Sequence, residues 1–85
     1  MDHTAEIQRF IASEFIPDIV PSQLDPDYDL LETGVVDSLQ LVRVITWIGK
    51  RFDIPVEQVE FTPDHFRSVR AIQTFIDTTT TQVSN

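Results

Sequence analysis

Apolar residues recur at helical spacing in three stretches of the chain, and strand-like alternation competes in none of them. In residues 4–16, Ile7, Phe10, Ile11 and Phe15 fall on one stripe, and Pro17 ends the run because the residue before a proline leaves the helical region. The second stretch, residues 38–52, has the clearest pattern: Leu41, Val44, Ile45, Ile48 and Phe52 share a core-facing side. Leu39, Val42 and Thr46 lie on another side near Arg43 and are expected to be wholly or partly exposed. Asp37 suits the N-cap of this helix, Gly49 lowers its propensity without breaking the pattern, and Asp53-Ile54-Pro55 closes it. In the third stretch Ser68 can cap a helix that carries Val69, Ile72, Phe75 and Ile76. Thr62-Pro63 reads as a cap with proline at the first helical position, opening a short helix through Phe66.

These elements predict an all-α chain: a small four-helix bundle of three longer helices and one short one, with a long loop between helices one and two. The loop, residues 17–36, holds Pro17, Pro21 and Pro26 and an acidic Asp25-Pro26-Asp27-Tyr28-Asp29 run. A connection this long in a small domain is either functional or pinned by its own apolar side chains, for which Leu24, Tyr28, Leu30 and Leu31 are the candidates. The 85 residues make a single domain with its core in about 4–77, and the polar residues 78–85 are expected to be a flexible, frayed tail.

Charge changes the picture more than composition does. Six basic residues against 14 acidic ones leave a net charge of −8, which argues against a binder of phosphate backbones. The imbalance is one-sided: residues 1–37 carry nine acids against Arg9, whereas five acids balance five bases in residues 38–85. The halves are therefore expected to offer partners different faces, on a surface that is for the most part simply solvated. The absence of cysteine excludes disulfides, thiolate metal sites and a thiol nucleophile in the chain itself. Neither a secretory signal nor a membrane-length apolar run is present, and a cytoplasmic location is expected.

Most site chemistries fail on the residues they need. Two glycines, Gly34 and Gly49, make no phosphate cradle. Asp25, Asp27 and Asp29 have calcium-loop spacing, but Leu30 stands where that loop needs glycine and Val36 where it needs a bidentate acid. His3 and His65 are too few and too far apart for a usual zinc site, and each reads as a surface or packing histidine. Ser38 with His65 lacks the nucleophile elbow, oxyanion hole and chain length of a hydrolase.

Ser38 is nevertheless the most informative residue. It stands in the first turn of helix two, where backbone N–H groups and the helix dipole favour an attached phosphate, although Asp37-Ser38 also makes a good cap pair. Its setting is Leu30-Leu31-Glu32-Thr33-Gly34-Val35-Val36-Asp37-Ser38-Leu39, followed by an amphipathic helix ending at Phe52-Asp53-Ile54-Pro55. This closely resembles the carrier-protein family, the acyl carrier proteins and their aminoacyl and peptidyl relatives, over about residues 7–76. The Gly-x-x-Asp-Ser-Leu element carries most of the resemblance. It implies that Ser38 bears 4′-phosphopantetheine, delivered from coenzyme A by a phosphopantetheinyl transferase, with Asp37 and Leu39 flanking it. The sulfur then belongs to the cofactor, which reconciles thiol chemistry with a chain free of cysteine.

The resemblance further implies a non-catalytic monomer that presents thioester cargo to loading enzymes and downstream synthases. Its expected contact face is Leu39, Val42, Arg43 and Thr46, with Lys50 read as solvated surface. Val56, Phe61 and Phe66 are candidates to line a cargo shelter, though ordinary core packing is the stronger expectation for each. Helix two departs from the acidic pattern of many acyl carriers, because Arg43, Lys50 and Arg51 are its only charged residues. Partners of a different charge pattern, reading the acidic loop instead, are one explanation.

Residues 61–69, Phe61-Thr62-Pro63-Asp64-His65-Phe66-Arg67-Ser68-Val69, resemble a stretch of stand-alone carriers from specialised pathways, and Met1 suggests a free-standing protein. The first expectation is thus an acyl carrier of polyketide or related metabolism. An aminoacyl or peptidyl carrier loaded by an adenylating enzyme is the second. A helical docking module using Leu39, Val42 and Trp47, with Ser38 unmodified, is the alternative from another class.

Overall fold

The computed structural model describes residues 3–55 and 62–83, and the side chains of the last helix as far as residue 80. Three helices form: α1 (Thr4–Phe15), α2 (Ser38–Arg51) and α3 (Val69–Val83). The described residues contain no strand. The expected fourth helix is a single 3-10 turn, Pro63–Phe66, and a second such turn, Pro21–Gln23, interrupts the first connection. Both begin at a proline, whose fixed φ suits the first position of a turn and whose missing N–H is not needed there.

The helix ends follow local chemistry. α1 stops at Phe15, with the Ile16 N–H still donating to the Ala12 carbonyl before Pro17. α2 closes through Asp53, which takes the left-handed conformation (φ 55°) while the Ile54 N–H reaches back to the Gly49 carbonyl at 3.1 Å. This is the glycine-type helix stop carried out by an aspartate, one of the few side chains that tolerate it. α3 runs on to Val83. Thr79 faces inward and is buried, and the Thr80 hydroxyl donates to the Ile76 carbonyl, so the polar tail has a packed side that composition concealed.

The core draws on all three helices, the Pro63–Phe66 turn and the long connection. Ile7 and Ile11 of α1, Val44 and Ile48 of α2, and Val69, Ile72 and Ile76 of α3 are buried together with Phe66. Leu41, Ile45 and Phe52 complete the expected α2 stripe as half-buried side chains against this core, as Phe10 and Phe15 do from α1. Trp47 stacks on Phe10 with centroids 4.2 Å apart and planes 9° apart, and meets Phe52 edge-on. It is a packing residue between α1 and α2, which removes one of the three side chains of the docking-module reading. His3 and His65 likewise pack against rings, those of Phe52 and Phe75.

The long connection is pinned rather than loose. Leu24, Leu30 and Val36 are buried in the core and Leu31 half-buried, while Tyr28, an expected pin, stays 41% exposed. Buried Gln8, which the apolar pattern overlooks, holds the connection from α1 by donating from Nε2 to the Leu24 carbonyl at 2.6 Å. From the other side the Leu30 N–H donates to the Arg67 carbonyl at 2.6 Å, and the Arg70 N–H to the Pro26 carbonyl at 2.8 Å.

Ion pairs absorb part of the lopsided charge. Glu6 pairs with Arg51, Glu14 with Arg43, Asp27 with Arg70 and Asp29 with Arg67. Each joins an acid of the first half to a base of the second, and together they engage four of the five second-half bases. Much of the asymmetry expected to face partners is spent across the fold, and two of the acids that gave calcium-loop spacing are turned to arginines.

The hydrogen bond from Arg70 holds the Asp27 carboxyl below the usual aspartate range. Asp29 is held down first by the Glu32 N–H and then by Arg67. Carboxyls depressed in the folded state stabilise it fully above the ordinary aspartate range, about 3.9, and lose that contribution as pH falls through their folded values. Replacing both by asparagine should therefore lower Tm at pH 7, and the difference from wild type should shrink as pH falls below the ordinary aspartate range and through the depressed folded values. Thermal melts followed by circular dichroism across this range check it.

Candidate functional site

The chain reaches α2 through a sequence of small constraints. Asp29 Oδ1 accepts from the N–H groups of Leu31 (3.1 Å) and Glu32 (2.8 Å), curling residues 29–33 into a turn. Gly34 then takes φ +82°, and the space where a side chain would begin is open. Glycine is required there by backbone conformation, not by crowding. The Val36 N–H closes onto the Leu30 carbonyl at 2.9 Å and the Val36 side chain enters the core, so the backbone arrives at Asp37 in one direction.

Asp37 is the N-cap in extended conformation. Its carboxylate accepts from the Gln40 N–H at 2.9 Å, and Gln40 Oε1 accepts from the Asp37 N–H at 3.1 Å. This reciprocal capping box rests on Asp-x-x-Gln, a spacing visible in the sequence although Asp37 alone draws attention there. The box fixes where the helix begins and leaves Ser38 in its first turn, exposed. The dipole and first-turn N–H groups of α2 are directed to that end, and the Arg51 and Lys50 charges sit at the other.

Beyond Ser38, the residues singled out on α2 lie along one face at helical spacing. Leu39 is 84% exposed and Val42 62%, the two most exposed large apolar side chains among the described residues. Thr46 is exposed, with its hydroxyl folded back onto the Val42 carbonyl at 2.8 Å. Arg43 is also exposed but is tied to Glu14 at 3.4 Å, a cross-helix partner that α2 alone gave no sign of. Phe66 is 1% exposed and packs against Phe75, so ordinary core packing holds for it; Val56 and Phe61 fall outside the described residues.

The described site thus joins an exposed serine at a capped helix start, an open approach over Gly34 and an apolar exposed ridge, and offers no catalytic constellation. Residues 11–76 match the family model described as the phosphopantetheine attachment site. The chain belongs to that family. D-alanyl carrier proteins of Streptococcus sanguinis (strain SK36) and Streptococcus gordonii (strain Challis) are each 35% identical to it over 72 residues. Those residues are 85% of this chain and 87% of each relative. Among solved structures, apo KstB-PCP is 44% identical, with TM-score 0.83, covering 94% of this chain and 88% of that one. A solution structure of KstB-PCP in kosinostatin biosynthesis is 45% identical, with TM-score 0.68, covering 92% and 88%.

The protein is accordingly a phosphopantetheine-dependent carrier with the carrier-protein fold, not an enzyme. Its cofactor is covalently bound 4′-phosphopantetheine, and such carriers are served by a phosphopantetheinyl transferase and by loading and synthase enzymes. The cofactor supplies the thiol on which cargo is held as a thioester. No described helix is long and apolar enough to cross a membrane.

If the capping box sets the start of α2, Asp37→Ala should cost about 1 kcal/mol. Ser38→Ala, at an exposed position, should stay within about 0.5 kcal/mol of wild type. Urea unfolding of the two variants beside wild type measures both.

Proposed function

We propose that Ser38 is the residue that carries 4′-phosphopantetheine, and that the protein is an aminoacyl or peptidyl carrier. The observation carrying the first part is the placement of an exposed serine hydroxyl within the capped first turn of α2, at the centre of Gly-x-x-Asp-Ser-Leu. Ser38 Oγ attacks the phosphorus of coenzyme A that bears the pantetheine. A new serine phosphoester forms, the pyrophosphate bond breaks, adenosine bisphosphate leaves, and the serine proton passes to a base of the transferase. The phosphodiester left on Ser38 sits at the positive end of the α2 dipole, next to N–H donors.

Relatives tilt the cargo. D-alanyl carrier proteins and KstB-PCP support an aminoacyl or peptidyl group over the polyketide acyl chain expected first. In this reading an adenylating enzyme loads the arm, a downstream synthase or transferase relieves it, and the chain works as a monomer in the cytoplasm, where coenzyme A is available. Leu39 and Val42 are the apolar contacts for these partners, with Thr46 extending the ridge and Arg43 at its edge. Apolar side chains this exposed cost solubility, and a face that is repeatedly covered and released gives them a use.

Incubation with coenzyme A, magnesium and a promiscuous transferase, followed by intact-protein mass, tests the assignment. Wild type should gain one phosphopantetheine and Ser38→Ala none. No gain by folded wild type, while a known carrier is modified in the same tube, would overturn the carrier assignment of Ser38 and put the docking module ahead of it.

A further inference from the structure

A groove beside the connection that leads to Ser38 has no part in the site described so far. It lies between the end of α1 and the first connection, encloses about 300 Å³, and is walled by Ile16, Ile19, Leu24, Tyr28 and Val35. Two polar residues, Gln23 and Asp25, belong to the same lining. Leu24 is part of the buried core, so the groove floor is fixed, while the Tyr28 ring remains 41% exposed. Asp25 is itself held in place: its Oδ1 accepts from the Asp27 N–H at 2.8 Å and its carbonyl from the Tyr28 N–H at 3.0 Å.

Three features name an occupant. The first is reach. Val35 precedes Ser38 by three residues, at most about 11 Å between Cα atoms, whereas a phosphopantetheine arm is about as long as five extended residues, roughly 17 Å. Cargo on Ser38 can therefore be laid back into the groove. The second is size, since about 300 Å³ is at the small end of ligand pockets and suits an aminoacyl group better than a long acyl chain. The third is charge. A mainly apolar wall with one carboxylate matches a group that has an apolar side chain and an ammonium, which an aminoacyl thioester has and a simple acyl thioester lacks.

We propose that this groove seats the aminoacyl group carried on Ser38, with its apolar side chain between Ile16, Ile19 and Val35 and its ammonium toward Asp25. The proposal rests on the aminoacyl-carrier reading above and adds the cargo class, an α-amino acid with an apolar side chain. Leu39 and Val42 are not among the residues of the groove, so cargo seated there leaves both side chains free to meet the next enzyme.

The test uses the full chain with two stable probes installed on Ser38 from synthetic coenzyme A analogues, a leucyl amide and the matching 4-methylpentanoyl amide without the amino group. Intact mass confirms attachment before nuclear Overhauser contacts are recorded on isotope-labelled protein. The leucyl side chain should contact the Ile16, Ile19 and Val35 methyls and the Tyr28 ring. The des-amino probe, and the leucyl probe on Asp25→Asn, should show contacts weaker by roughly twofold to fivefold, the range of a surface ion pair. Attachment without groove contacts, or with contacts confined to α2 and α3, would overturn the groove. Equal contacts from both probes would overturn the aminoacyl assignment of it. Failure of attachment on folded protein would instead sink the carrier reading of Ser38 itself.

Discussion

The structure depends on how the first connection is fastened to the start of α3. Leu30 has its side chain in the core and its N–H on the Arg67 carbonyl, and its own carbonyl receives the Val36 N–H. Arg70 reaches the same segment twice, through its N–H to Pro26 and its guanidinium to Asp27. Val44, Ile48 and Trp47 set the direction of α2 by packing, and the fastened connection fixes the path of the chain up to Asp37 and Ser38. Because apolar burial and backbone hydrogen bonds both act on one short segment, the loop behaves as part of the packed domain and not as a linker.

Several properties follow from that fastening. Two acids of the connection become structural, since Asp27 is committed to Arg70 of α3 and Asp29 to Arg67 just before it, and Asp29 also shapes the turn before Gly34. The most exposed part of the α2 ridge is apolar, Leu39 and Val42, with Arg43 at its edge already engaged by Glu14. Recognition through this face would rest more on shape and apolar contact than on charge attraction, unlike a carrier with an acidic second helix. The same fastened loop also supplies Leu24, Tyr28 and Val35 to the groove beside α1. One segment thus sets the attachment point, the contact ridge and the groove relative to each other.

Helical periodicity made most of the fold legible. Ile7, Ile11, Val44, Ile48, Val69, Ile72 and Ile76 were all placed on core-facing stripes, and Leu39 and Val42 off them. Asp37 and Ser38 were also legible, because capping and the Gly-x-x-Asp-Ser-Leu spacing are local. What escaped was non-local. Whether Asp27 and Asp29 faced partners or arginines depended on residues about forty positions away, and Trp47 read as surface until Phe10 stood over it. The extent of α3 escaped for another reason: a threonine run has weak helix propensity, and only packing of Thr79 reveals its inner side.

Native-state hydrogen exchange, read amide by amide under denaturant, addresses the fastening most directly. If the first connection is part of the packed domain, the amides of Leu30, Val36 and Arg70 exchange only through global unfolding, with the same free energy as the central amides of α1 and α3. Exchange of Leu30 and Val36 through a low-energy local opening, while α1 and α3 stay protected, would contradict the account and make the position of Ser38 a property of a mobile loop.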